Sequence, residues 1–595
     1  MKQHWLAIIL AVAIGLIVGL PHILIPKIIS PAKYDPLQFN SDSGGSSITM
    51  EEVYTYVPEI KETLEGKFWV TDTQVAEYNG QPTPFVGETG LAWVMAGLAK
   101  ITGSIQNAFI VADFIFPAVT FLLVYAIVWL FTRSQVVSAA AGTVLVVWPE
   151  LLVLFPYPNA LISAVKSAFD PRDFLFISRN FHPQLSLPGY LFAFYCLLRP
   201  GLGLPRPGLL RLIISGLVIG FLFYTYIFNW TAFGLGFVIF LAAICTLTVL
   251  KRSDLAAARS DLMRLLVIII VAGLIALPYF LQVSHFRQSG LVVDFFTKLS
   301  LPKRGFFDLV ARQWIFVVIF LLLQKVSPFG RKVRPLQTLL FVSFWIAPLL
   351  LPDLMQNILG RDLEGKHWVR RLAHPFGIMG LSIAVSQIIN RKWIKLLCLP
   401  LILLVLAYGS TRQTMMSYKI AGAYALNPDK QELYDWINKN TSPGAVIASL
   451  GWDTMVNIPA KTHAFNFSPI GMRTIASTSE SIDRFLWAAS LYGASEEYIE
   501  TAFSARGDGT TRALYFKFAE DNEVFAIPPE LIKDIKQRYQ IIIVQKSNGH
   551  LPPFKLNYVL IGQEERQFFK TAEERIKLKQ IFSNNNYLIY SASWL

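Results

Sequence analysis

The sequence predicts an α-helical polytopic membrane protein, with about eleven transmembrane helices, followed by a carboxy-terminal extracytoplasmic α/β domain. Three observations predict it. Hydrophobic residues make up 53% of the 595 and charged residues only 16%, with a mean hydropathy of +0.45, a balance that a soluble chain of this length struggles to keep in solution. Long apolar runs recur between Trp5 and Tyr408, separated by short basic connections. Beyond about Ser410 the chain turns more polar, and short helical patterns alternate with strand-like ones.

The first run, Trp5 to about Ile25, follows Met1-Lys2-Gln3-His4 and has no small-residue cleavage site after it, which predicts a retained signal-anchor helix. Further runs lie near Asn107–Phe131, Val136–Leu154, Leu185–Leu198, Leu209–Phe228, Trp230–Val249, Leu265–Val283, Gln313–Leu323, Leu339–Leu351, Leu372–Ile389 and Leu396–Tyr408. Several fall short of the roughly 17–25 residues that span a bilayer comfortably and must borrow flanking residues.

With the amino terminus cytoplasmic, the alternate loops on that side carry Arg133, then Arg199, Arg206 and Arg211, then Lys251, Arg252, Arg259 and Arg264. The later ones carry Lys325, Arg331, Lys332 and Arg334, then Arg391, Lys392 and Lys395, with only Asp254 and Asp261 as acids. This is the positive-inside bias, and it predicts a multi-pass protein of the plasma (inner) membrane whose carboxy-terminal region lies outside. Residues 1–409 then form the transmembrane domain, including a first outer loop at 27–106, and residues 410–595 form the extracytoplasmic domain.

In that domain Lys430–Lys439, Ser481–Tyr492 and Glu496–Phe503 have helical spacing. Ala445–Leu450, Tyr539–Val544 and Tyr587–Tyr590 are rich in β-branched or aromatic residues and read as strands.

The same composition excludes several classes of function. The net charge of +13 sits largely in the short inner loops, where it orients helices and does not form a nucleic-acid-binding face. Cys196, Cys245 and Cys398 all lie inside apolar runs and read as small hydrophobes. There is no Walker loop, dinucleotide fingerprint or nucleophile elbow, so no nucleotide cofactor is expected. Asn229-Trp230-Thr231, Asn440-Thr441-Ser442 and Asn466-Phe467-Ser468 match the glycosylation sequon, a pattern common by chance.

The long connections, near 27–106, 155–184, 284–312 and 352–371, all fall on the outer side, and long loops in compact proteins tend to be functional. In the first, Met50, Val53, Val57, Ile60 and Leu64 share one helical stripe while Glu51, Glu52, Glu59 and Glu62 face elsewhere. That pattern fits an amphipathic helix on the membrane surface, stopped at Gly66, or one that Pro58 divides by opening a second helix. Glu51 or Glu52 is a candidate base or metal ligand, although Thr49-Met50-Glu51-Glu52 also fits a capping box.

In the second outer connection, Asp170-Pro171-Arg172-Asp173 has the form of a turn. It precedes the dense polar stretch Ser178-Arg179-Asn180-Phe181-His182-Pro183-Gln184 at the mouth of the next run. Charges there are costly without a ligand or partner, which makes Asp170, Asp173, Arg172, Arg179 and His182 site candidates.

The last outer loop gathers Arg361, Lys366, His367, Arg370, Arg371 and His374 against the orientation bias. His367, Arg371 and His374 are spaced to share a helix face. Such a face suits either anionic lipid headgroups or a phosphate clamp built on arginine forks. A zinc site lacks a third ligand. The Tyr224, Tyr226, Phe228 and Trp230 cluster fits an interfacial aromatic belt.

The arrangement resembles the GT-C superfamily of membrane glycosyltransferases, which includes oligosaccharyltransferases, protein mannosyltransferases and the lipid A aminoarabinose transferases. The residues that carry it are Glu51-Glu52-Val53-Tyr54 through Glu62-Thr63-Leu64-Glu65-Gly66, Pro84 to Gly103, and Asn180-Phe181-His182-Pro183-Gln184-Leu185-Ser186. Arg370-Arg371 and the closing Phe582–Tyr590 complete the set. Such families usually show an Asp or Asp-Glu in the first outer loop, where this chain has Glu51-Glu52.

The resemblance implies transfer of a sugar from a polyprenyl-phosphate-linked donor to a glycan, lipid or protein acceptor on the outer face, usually with inversion. It assigns Glu52 or Glu51 as base, Asp170 or Asp173 as its partner, and Arg371 with Arg370 to the phosphate. A divalent cation, Mg²⁺ or Mn²⁺, serves some members, with Glu52 and Asp173 as the ligands it would have here. The rival reading is a non-enzymatic lipid-linked sugar transporter or an envelope-assembly scaffold. A transporter should show broken helices, repeats and intramembrane charges, whereas the runs hold few ionisable residues, chiefly Asp113 and Glu150 near their ends.

Overall fold

Each of the apolar runs becomes a helix, because a chain with no water to bond must satisfy its backbone internally. The computed structural model describes residues 4–38, 52–83, 88–151, 158–198, 208–251, 255–288, 305, 307–326, 335–360, 362–389, 391–503, 529–569 and 578–592. By internal contacts the chain divides into two units. The first holds Met1–Ile28, Thr102–Phe280 and Lys303–Lys419, and the second Ile29–Ile101, Leu281–Pro302 and Ile420–Leu595. The first outer loop, grouped with the spanning helices on sequence, thus shares a unit with the carboxy-terminal region.

The described residues of the first unit are mainly helical. Its principal helices are Trp5–Val18, Leu20–Ile29, Ile105–Thr132, Gln135–Val147, Ser186–Leu198, Leu209–Phe221, Ile227–Lys251, Leu255–Gln288, Phe307–Val326, Pro335–Leu359, His374–Ile388 and Arg391–Ile420. Among the described residues six segments are long and apolar enough to cross a membrane: Trp5–Ile29, Ile105–Thr132, Ile227–Thr246, Met263–Gln288, Leu336–Leu359 and Lys392–Tyr424. Others are short. Gln135–Val147 stops at Trp148-Pro149, well before the expected Leu154, and at 13 residues it rises only about 20 Å. Among the described residues length and composition thus identify six crossings, and Gln135–Val147, Leu209–Tyr224 and Gln313–Gln324 are shorter apolar helices beside them.

Exposed Leu266, Ile270, Leu274 and Leu277 give the Leu255–Gln288 helix an apolar outer face suited to lipid. Inward, Phe194, Phe341, Phe344, Trp345 and Phe376 pack edge to face or tilted in one buried cluster. Gly216 and Gly220 let the Leu209–Phe221 helix approach Leu255–Gln288 closely. A Cβ on either would stand 2.6 Å from the Cβ of Val271 or Ile275, the small-residue packing common between membrane helices.

The second unit contains a five-stranded sheet of β1 (Val446–Ala448), β2 (Phe465–Asn466), β3 (Tyr558–Ile561), β4 (Lys579–Ser583) and β5 (Leu588–Ser591), in the order β2-β1-β3-β5-β4. β1 runs parallel to β2 and β3, while β5 is antiparallel to β3 and β4. Alternation of side chains divides the core into two. Val446, Ala448, Val559 and Ile561 pack with the helices Thr478–Tyr492 and Pro529–Ser547. Ala445, Ile447, Leu560 and Ile589 pack with Leu433 and Ile437 of Pro428–Asn440.

The helices expected at Lys430–Lys439, Ser481–Tyr492 and Glu496–Phe503 and the strands at Ala445–Leu450 and Tyr587–Tyr590 are present within a residue or a few. Tyr539–Val544, expected as a strand, is instead part of the helix Pro529–Ser547. Its buried residues Ile535, Tyr539 and Ile542 repeat at helical spacing, and that periodicity outweighs the β-branched composition.

Candidate functional site

In the first unit, two irregular turns bring the site candidates together. After Pro335–Leu359 the chain makes a short helical turn at Lys366–Trp368 and a π-helical turn at Val369–Ala373 before His374–Ile388 begins. The widened turn breaks the simple one-face register of His367, Arg371 and His374. His367 Nδ1 lies 2.7 Å from the Tyr226 hydroxyl, and Arg371 Nη1 donates to the same hydroxyl at 2.9 Å. His374 turns elsewhere, to the Pro149 carbonyl at 2.5 Å and to Gln313 at 3.1 Å.

The second turn is Asn180–Leu185, where His182 leaves helical geometry ahead of a cis bond to Pro183. It lays the His182 ring on Tyr226, with centroids 3.6 Å apart. The Arg371 guanidinium carbon sits 5.2 Å from the centre of that tyrosine ring.

His367 is the electrostatic focus. Burial first, and then the charges of Arg371, Lys366, Arg179 and His182 around it, push its pKa well below the ordinary histidine value. It is therefore neutral at neutral pH, with Glu364 Oε2 3.1 Å from Nδ1. Arg371 is 8% exposed, and among the described residues no carboxylate pairs with it. A buried guanidinium left without an anion is costly, and it is the form an anion site takes before its ligand arrives. Five predicted residues, Arg179, His182, Lys366, His367 and Arg371, thus gather here.

Other predicted residues do not join them. Asp170 is exposed and ion-paired with Lys419 at 2.7 Å, and that bond holds its carboxyl below the usual range, which makes it a weak base. Arg172 and Arg370 are exposed, and no described contact ties either to Tyr226 or His367. Asp173 is half-buried, with Oδ1 accepting from Phe174 N at 2.9 Å. Its carbonyl and that of Phe174 accept from Arg412 at 3.1 Å each. Arg412 and Lys419, both on Arg391–Ile420, therefore clasp the Asp170–Asp173 turn.

In the second unit Glu52 is buried and opens a π-helical segment, Glu52–Tyr56, that leads into the helix Val57–Leu64. Pro58 sits in the first turn of that helix, and Gly66, at φ +95°, follows its end. Glu51 lies outside the described residues, as do Thr49 and Met50 of the expected capping box.

The surface amphipathic helix expected here is corrected. Val57–Leu64 buries Glu59 and Glu62 as well as its apolar face. Glu62 accepts from Thr71 N at 2.8 Å, Thr71 Oγ1 at 2.6 Å, Asn79 at 2.8 Å and Lys67 at 2.6 Å. Burial, with Glu88 nearby and partly offset by Arg473, raises the Glu59 pKa well above the carboxylate range. Asp72 accepts from Thr474 Oγ1 at 2.6 Å and Ile475 N at 2.8 Å, and Lys61 donates to the carbonyl oxygens of Pro459 and Thr462. These bonds fix the loop that positions Glu52.

Two features escaped sequence reasoning. Tyr226, expected in an interfacial belt, is buried and joins His182, His367 and Arg371. Asp113 takes His22 on one oxygen and Gln184 on the other, each at 2.6 Å, tying the first helices to the His182 turn. The lone acid in an apolar run was its only visible signal. Among the described residues no three His, Cys, Asp or Glu side chains gather in one place.

No protein-family model matches the chain, and no curated protein matches it. Solved structures similar to it over most of its length include ArnT from Cupriavidus metallidurans bound to undecaprenyl phosphate, at 11% identity and a TM-score of 0.43, covering 97% of this chain and 98% of ArnT. The Archaeoglobus fulgidus oligosaccharyltransferase tethered with an acceptor peptide containing the NVT sequon gives 12% and 0.41, covering 100% of this chain and 74% of that one. Arabinofuranosyltransferase AftD from Mycobacteria gives 11% and 0.39, covering 98% and 39%. Identities and scores this low leave the functional assignment to the residues themselves.

Proposed function

We propose that this protein is an inverting membrane glycosyltransferase that moves a sugar from a polyprenyl-phosphate-linked donor to an acceptor on the outer face. One observation carries the reading. Arg371 is a buried cation with no carboxylate partner among the described residues, set among Arg179, Lys366 and a histidine held neutral. Arginine forks bind phosphate oxygens in pairs. Near a bilayer, such a ligand is the headgroup of a phosphorylated lipid.

In the proposed reaction an acceptor hydroxyl attacks the anomeric carbon from the side opposite the phosphate. The new carbon–oxygen bond forms as the bond to phosphate breaks, and the electron pair leaves on the phosphate oxygen. Arg371, assisted by Arg179 and Lys366, stabilises that developing charge. A carboxylate must take the hydroxyl proton, and Glu52 is the residue we assign to it.

The test is substitution of Glu52 by Gln in living cells, with polyprenyl-phosphate sugars profiled by mass spectrometry. A lost acceptor base blocks consumption, so one lipid-linked sugar should accumulate while its glycan product disappears. Unchanged donor and product pools at normal protein level would remove the enzymatic reading.

A further inference from the structure

We infer that the carboxy-terminal part of the second unit carries a binding site for a neutral saccharide, which makes the acceptor a glycan. The inference rests on the glycosyl-transfer reading above and narrows its acceptor. A cavity of about 480 Å³ opens there, within the size range of small-ligand pockets. Its walls come from five places: the start of the helix Pro428–Asn440, the first turn of Trp452–Lys461, the helix Gln563–Phe568, Asn586-Tyr587 before β5, and the stretch of Gly422 and Ala425–Asn427 that precedes the first of these helices. The second and third of these follow β1 and β3 directly, so the cavity lies at the carboxyl ends of two parallel strands, where α/β sheets commonly bind ligands.

The chemistry of the wall narrows the occupant. It presents the amides of Asn427, Gln563, Gln567 and Asn586, with three carboxylates and one ammonium. About half of its lining is polar, which suits a hydroxylated ligand better than a lipid tail. Asp429, Asp453 and Glu564 outnumber Lys430, so a phosphate or other anion is repelled.

A bare metal ion is also disfavoured, because the carboxylates are already committed. Asp453 pairs with Lys430 at 2.5 Å in a nearly buried bridge, Glu564 accepts from Asp453 N at 3.1 Å, and Asp429 accepts from Asn586. Gln563 donates to Asn586 at 2.8 Å, while the exposed side-chain amide of Gln567 has no hydrogen-bond partner among the described residues. What remains is a rigid, net-acidic wall of amide and carboxylate groups with the Tyr587 phenol beside it. Such groups suit a ring of hydroxyls, each of which can donate to one and accept from another.

Gly422 supplies the decisive variant. It lines the cavity, and a Cβ placed on it meets nothing within 4 Å, so Gly422→Trp should fill the space without disturbing the wall. Full-length protein in detergent micelles would be titrated by saturation-transfer NMR with neutral gluco-, manno-, galacto- and arabino-oligosaccharides, and with uncharged peptides as the competing class. The expected result is binding of at least one oligosaccharide, its loss in Gly422→Trp, and weakening of about tenfold in the Gln563→Ala, Gln567→Ala double variant.

Binding of undecaprenyl phosphate, measured on the same samples, should be unchanged in all of them. The inference is overturned if no oligosaccharide binds, if one binds wild type and Gly422→Trp equally, or if only peptides bind. Saccharide binding by a protein that ignores undecaprenyl phosphate would instead overturn the donor assignment and leave this site standing.

Discussion

Replacing Arg371 by Met separates a phosphate-binding role from a structural one, because the two roles move stability in opposite directions. Arg371 is 8% exposed, donates one hydrogen bond, to Tyr226 at 2.9 Å, and stands over the same ring at 5.2 Å. Losing that bond costs about 1–3 kcal/mol and losing the cation–π contact about 0.5–1 kcal/mol. Against this, removing a buried charge that lacks a counter-ion relieves desolvation of several kcal/mol. Methionine fills much the same space, so the ligand-free variant should melt at the wild-type temperature or above it.

Binding should fail in the same variant. Truncating one member of a buried charge pair typically costs about 2–5 kcal/mol, so affinity for undecaprenyl phosphate should drop by roughly 30-fold or more. Wild type at about 100 times its dissociation constant should gain about 2.7 kcal/mol from bound lipid, and Arg371→Met at the same lipid concentration about 1 kcal/mol or less. The assay is thermal unfolding by intrinsic fluorescence in detergent, with and without the lipid phosphate. A variant that melts several degrees lower yet keeps the full lipid-induced shift would refute the reasoning.

Four further outcomes follow from other contacts. The raised pKa of Glu59 means that the folded state holds this proton more tightly than the unfolded state, so stability should decline as pH rises from about 5 towards 7. Glu59→Gln should flatten that slope and raise the neutral-pH melting temperature; melting curves across the range are the check. Asp113→Asn removes the charge behind two 2.6 Å contacts, to His22 and Gln184, and should cost roughly 3–5 kcal/mol, seen as a lower midpoint in chemical denaturation. Gln413 is fully buried and bonded to Val18 O, Ser178 Oγ and Leu175 N, so Gln413→Ala should cost about 2–4 kcal/mol, again read from denaturation. Chelation with EDTA should leave undecaprenyl phosphate binding unchanged, because the proposed contacts are guanidinium and ammonium groups; equilibrium binding with and without chelator decides it.

Much of the plan was legible in the residues. Apolar runs fixed where helices form, and β-branched and aromatic composition around Ala445–Leu450 and Tyr587–Tyr590 marked two of the five strands. Tyr539–Val544 was misread because β-branched composition is a local signal, while its state was set by a buried stripe shared with Ile535. Arg371, His367, Lys366, Arg179 and His182 stood out on sequence as charges gathered where charge is costly. Tyr226 did not, since an aromatic at the end of an apolar run has an ordinary interfacial explanation.

By itself the sequence determined the solvent this chain is built for and the places where polar groups had to be tolerated, because hydrophobicity and charge are properties of each residue wherever it lies. Only the tertiary structure decided which of those groups meet. It placed the Arg371 guanidinium and the His367 ring on one tyrosine hydroxyl, tied Asp170 to Lys419, and buried Glu59 and Glu62 that the helical wheel had turned outward. A pairing depends on the positions of two partners far apart in the chain, and local pattern carries information about one of them at a time.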